Sequence, residues 1–92
     1  MRLTWDAAKN RANVQRRGVS FADAARIFDD PTVERLDDRL DYGEARYYAI
    51  GLVEDVEFTV IYTDRSDDER RIISAWRSEP AERRYFWRNA AS

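Results

Sequence analysis

The stretch RRIISAWRSEPAERRYFWR, residues 70–88, holds six arginines and two glutamates in a chain whose formal net charge is −2. A guanidinium is planar, stays charged at any relevant pH and matches phosphate oxygens in pairs. A cluster of them suits the holding of phosphate and the stabilisation of charge that develops on it. The cations are unevenly spread. Residues 1–18 carry five cations and one acid, residues 19–69 five arginines and fifteen acids, and residues 70–92 six arginines and two glutamates. If folding brings the two basic ends together, an acidic protein acquires a basic face.

The chain has no histidine and no cysteine, so the usual general base, thiol chemistry, disulfides and the commonest zinc ligands are absent. Carboxylates, tyrosines, arginines and the single Lys9 remain for chemistry. Asp37-Asp38 and Asp67-Asp68 match no metal-cage spacing and read as solvated turns, so no metal or cofactor is expected. Ninety-two residues, 43% of them hydrophobic, fit one domain over 1–92. No apolar run has the length of a membrane span or a signal-peptide core, which gives the expectation of a cytoplasmic protein without membrane contact.

Several elements must position these side chains. RLTW reads as a short first strand. Residues 6–18 read as a helix with Asp6 as N-cap, Arg16 and Arg17 at its negative end and Gly18 as the left-handed stop. Ser20 caps a second helix, whose stripe of Phe21, Ala24, Ala25, Ile27 and Phe28 ends at Asp29-Asp30-Pro31. TVERL suits a short strand, and the acidic run after it an exposed loop. RYYAIGLV and VEFTVIYT form a hairpin across Glu54-Asp55, DRSDDE makes the next turn, and RRIISAW is the third strand of that meander. Strict alternation along it sets Arg71, Ile73 and Ala75 against Arg70, Ile72, Ser74 and Trp76. Ser78, with Pro80 in the first turn, opens a final helix. The layout is α+β: two N-terminal helices, an antiparallel sheet of three to four strands and a C-terminal helix.

WDAAKNRANVQRRGVSFADAARIFDDP, then DYGEARYYAIG, then RRIISA with the following ERRY resemble the BrnT toxin family of RelE-like ribonucleases. The likeness runs along nearly the whole chain in the right order. It implies a compact RelE-like domain and metal-independent cleavage of RNA. It also implies a BrnA-type ribbon-helix-helix antitoxin as partner, in a heterotetramer that meets operator DNA only through the antitoxin. Two departures stand out. The first helix ends in Arg16-Arg17-Gly18 where the family commonly has Lys-His-Gly, so no imidazole role carries over. The third strand of the meander ends Ser74-Ala75-Trp76-Arg77 where Ser-Ala-Arg is common, and a one-residue slip turns a side chain to the other face.

Under that resemblance, Arg71 and Arg77, with Arg65 in the preceding turn, are the expected catalytic contacts to the phosphorane. Lys9, Asn13 and Arg16, spaced four and three apart on one side of the first helix, are expected to hold flanking phosphates. Tyr62 and Tyr85 are expected as a base or as stacking platforms. The bland readings are a solvated helix face for Lys9, Asn13 and Arg16, and an exposed or partner-facing helix for Arg83, Arg84 and Arg88. Two other functions fit the same residues: a weakened toxin that only binds its antitoxin in operon autoregulation, and a toxin acting on a protein target.

Overall fold

The computed structural model describes residues 1–90. In chain order they form β1 (Arg2–Thr4), α1 (Ala7–Arg17), α2 (Phe21–Ala24) continued by a 3₁₀ turn (Ala25–Asp29), β2 (Val33–Leu36), β3 (Tyr47–Val53), β4 (Val56–Ser66), β5 (Glu69–Arg77) and α3 (Pro80–Ala90). One mixed five-stranded sheet has the order β1-β5-β4-β3-β2, with β1 parallel to β5 and the other pairs antiparallel. The fold is α+β as expected, but two details differ. The sheet is not wholly antiparallel, because the N-terminal strand joins it beside the last strand. The second helix is a single α-turn that tightens into 3₁₀ geometry before Pro31.

Local chemistry explains the boundaries. The Asp6 carboxylate accepts from the Lys9 backbone N–H at the start of α1, and Gly18, at φ 72°, ends it with its N–H on the Val14 carbonyl. Ser20 caps α2 by accepting from the Asp23 N–H. The β3–β4 hairpin turns on Glu54 and Asp55, both at positive φ (51° and 67°), the backbone that a tight two-residue hairpin requires even without glycine. Asp67-Asp68 is the whole of the next turn, shorter than DRSDDE, since the strands run on to Ser66 and begin again at Glu69. Ser78 turns its hydroxyl across to the Thr59 hydroxyl, 2.8 Å away, and Glu82 instead accepts from the Glu79 N–H that opens α3.

The sheet is covered on both faces. Phe21, Ala24, Ala25 and Ile27 pack on Ala49, Val60, Tyr62, Ile72 and Ala75. On the other face Tyr48, Ile61 and Trp76 form a smaller cluster with Ile73. Ile72 and Ala75 share a face although three residues apart, and so do Ile73 and Trp76. The pairing slips between Ile61↔Ser74 and Tyr62↔Ile72, so Ile73 is the extra residue of a β-bulge. That bulge corrects the strict alternation expected along RRIISAW.

Gly51 lies where the 3₁₀ turn crosses the sheet, and a Cβ there would sit 2.8 Å from Ile27 Cβ and 3.0 Å from Thr32 Cγ2. Ile27 is fully buried and has no room to retreat. Gly51→Ala is therefore expected to cost about 1–3 kcal/mol, read as a lower thermal midpoint.

Candidate active site

Helix α1 lies against the part of β5 that β1 leaves uncovered, and Asn13 makes the junction. Its side-chain amide donates to the Val19 carbonyl (2.8 Å) and the Ala75 carbonyl (2.9 Å) and accepts from the Ala75 N–H (3.4 Å). One side chain thus does for Ala75 what a neighbouring strand would do. Beside it a crevice of about 230 Å³ is lined by Lys9, Ala12, Asn13, Arg16, Ile73 and Ser74. Arg71 stands two residues before Ile73, paired across the sheet with Thr4 and Thr63. It is close enough to the start of α1 to act on Asp6. That carboxyl is held below its ordinary range first by the Lys9 backbone N–H, with Arg71 adding to the effect.

Among the described residues, Lys9, Arg16 and Arg71 have no acid at ion-pair distance, whereas Arg70 is bound in two places by Asp64. Arg70 also lies over the Tyr62 ring, 3.9 Å from its centroid, on the face packed against the 3₁₀ turn. The two adjacent arginines of the opening motif therefore differ. Arg70 is paired with Asp64; Arg71, among the described residues, is in no ion pair.

The other expected site residues lie apart from this crevice. Arg77 is exposed at the far end of β5, opposite Phe58, six residues and so about 20 Å along the strand from Arg71. Arg65 sits in a second irregularity of the β4–β5 pairing and lines a separate shallow cleft with Glu44, Ala45, Tyr47 and Thr63. Tyr62 is 3% exposed and donates its hydroxyl to Glu34. Burial, reinforced by that carboxylate, pushes its pKa far above the phenol range, so it holds its proton. Tyr85 is half-buried on α3, in a cleft at the other end of this face.

Trp76, which the sequence reading left without a role, shapes the surface together with Glu82. Trp76 is buried; its indole N–H donates to Glu82 at 2.9 Å, pinning α3 to the sheet, and its ring faces the Arg17 guanidinium at 4.8 Å. The strand end after Ser74-Ala75 is thus filled by an anchor with a cation above it. The signal was present in sequence as a lone aromatic between Ala75 and Arg77.

The acidic loop after β2 is also more ordered than expected. Asp37 is buried and accepts from Arg39 Nε at 2.8 Å, Arg39 Nη2 at 3.0 Å and the Tyr42 hydroxyl at 3.3 Å. Arg39 holds the Asp37 carboxyl below its usual value of 3.8. A depressed carboxyl stabilises the fold fully above its unfolded value, and the contribution is lost as pH falls through the folded one. The urea midpoint of Asp37→Asn is expected to lie below that of the parent at pH 7, by about 1–2 kcal/mol in stability, and the gap to close below about pH 4.

Comparisons with known proteins fit this frame. A crystal structure of the Brucella abortus ribonuclease toxin BrnT superposes with a TM-score of 0.65 at 22% identity, covering 86% of this chain and 97% of that one. The fold is therefore shared with a toxin domain. The family profile described as "Ribonuclease toxin, BrnT, of type II toxin-antitoxin system" matches residues 5–82, so the chain belongs to the BrnT family of ribonuclease toxins. No curated protein has a significant match. No helix among the described residues is long and apolar enough to cross a membrane.

Proposed function

We propose that this chain is an endoribonuclease that cleaves RNA without a metal, through attack of the 2′-hydroxyl on the adjacent phosphorus. The new P–O bond closes a 2′,3′-cyclic phosphate, the bond to the 5′-oxygen breaks, and that oxygen leaves with a proton. The observation that carries the reading is the crevice beside Ser74, lined by Lys9 and Arg16, with Arg71 two residues before Ile73 on the same strand; among the described residues none of the three cations is in an ion pair. Arg71 is the phosphorane contact, since a guanidinium fork meets two equatorial oxygens at once. Lys9 and Arg16 hold the neighbouring phosphates, and Asn13 serves by locking α1 to β5. Arg77, at the far end of β5, is too distant to share one phosphate with Arg71, and it and Arg65, which lines a separate cleft, are assigned to the RNA further along. Incubating the protein with RNA in excess chelator tests the reading: persistent cleavage ending in cyclic phosphate supports it, and cleavage abolished by the chelator overturns it.

The partner we assign is a ribbon-helix-helix antitoxin of the BrnA type in a cytoplasmic heterotetramer, with operator DNA bound through the antitoxin alone. A second reading has one observation in its favour: Trp76, directly after Ser74-Ala75, is buried under Glu82 and presents no guanidinium at that strand end. In that reading the chain is a weakened toxin that binds its antitoxin in operon autoregulation. Intact RNA alongside tight antitoxin binding would select it.

A further inference from the structure

The same face of the sheet carries a second cleft, of about 300 Å³, between α3 and strands β2 and β3. Three guanidiniums reach it, from Arg35 on β2 and from Arg84 and Arg88, four residues apart on α3 and so on one side of that helix. Arg35 lies between two rings, 5.2 Å from the Tyr48 centroid and 5.3 Å from that of Tyr85. Among the described residues none of the three cations has an acid at ion-pair distance. The acid that lines the cleft, Glu82, turns one carboxylate oxygen away to accept from the Trp76 indole, the Thr59 hydroxyl and the Glu79 N–H. Three converging positive charges repel one another, and a multiply charged anion relieves that repulsion. The rings add a flat surface of the kind on which unpaired bases stack.

We propose that this cleft is a nucleotide-binding subsite for single-stranded RNA, separate from the cleavage crevice. One base stacks on Tyr85 beside Arg35, and Arg84 and Arg88 hold the phosphates on either side. Its volume suits one nucleotide rather than a duplex. The site lies on the crevice's side of the sheet, with the strip of Tyr48, Ile61, Ile73 and Trp76 between them. From β3 to β5 is two strand spacings, about 10 Å, so one RNA strand reaches both. The proposal rests on the RNA reading above and identifies what anchors the substrate outside the bond that breaks.

The test measures binding of a fully 2′-O-methylated oligonucleotide, which has no hydroxyl to attack, together with cleavage of the unmodified RNA. The Arg84→Ala/Arg88→Ala double variant is expected to bind the oligonucleotide about tenfold more weakly, with a log–log salt slope shallower by about 1.4 for two lost phosphate contacts. Tyr85→Leu is expected to lose about fivefold or more in affinity for the same oligonucleotide. Arg26→Ala, which removes one cation next to Glu54 on the other face, controls for net charge. Unchanged affinity and salt slope in both variants overturn the subsite, as does a loss of antitoxin affinity with RNA binding intact, which would make the cleft a protein interface. A parent chain that binds the oligonucleotide yet cleaves nothing sinks the nuclease reading and leaves the subsite standing.

Discussion

Arg71→Ala is expected to cleave RNA about 10²–10³ more slowly than the parent, the usual loss when one preorganised donor to a developing oxyanion is removed. Among the described residues Arg71 is in no ion pair, and its effect on the exposed Asp6 carboxyl only adds to that of the Lys9 backbone N–H, so stability should move by no more than about 0.5 kcal/mol. Arg71→Lys keeps the charge but not the two-pronged geometry and should recover only part of the rate. Arg77→Ala, at the other end of β5, should raise KM and spare kcat. The readout is single-turnover cleavage in excess chelator at saturating protein, with circular dichroism for the fold. If Arg71→Ala keeps pace with the parent while Arg77→Ala fails, the chemistry lies at the far end of the strand and the crevice beside α1 is no active site.

The contrast between Arg70 and Arg71 shows how much of this site the sequence carried. That two arginines enter a strand side by side is legible, as is the consequence that they face opposite ways. Which of them is spent on a carboxylate depends on Asp64, placed across the turn by a pairing irregularity that no local pattern announces. The caps at Asp6 and Ser20, the Gly18 stop and the glycine-free turn at Glu54-Asp55 were readable because each is local chemistry. The parallel partner of β1 was not, because three residues contain no information about a strand more than sixty positions away. The bulge left one trace, the adjacent apolar pair Ile72-Ile73, each of which has an apolar cluster to enter. The second cleft stayed hidden since Arg35 belongs to the acidic middle of the chain and Arg84 and Arg88 to its basic end. Only the packing of α3 against β2 and β3 joins them.

Asn13→Ala is expected to be the most destabilising of these substitutions, at about 2–4 kcal/mol, and to leave the cations of the crevice intact. The Ala75 N–H and the Ala75 and Val19 carbonyls would each lose a partner in a place water reaches poorly, for Asn13 is 8% exposed and Ala75 fully buried. In a domain of this size that corresponds to a drop in thermal midpoint on the order of 10–30 °C. Asn13→Asp separates the amide's role from its volume. It is nearly the same shape and still accepts from the Ala75 N–H, but it sets a carboxylate against two carbonyl oxygens, so it should fare no better than alanine. Hydrogen exchange at the Ala75 amide should quicken in both variants before the rest of the sheet opens. Lys9→Ala and Arg16→Ala, one turn away on either side, should weaken RNA binding and leave the midpoint in place. An Asn13→Ala protein that melts with the parent but binds RNA poorly would reverse the assignment, making the amide a phosphate contact and leaving β5 held to α1 by the apolar contacts alone.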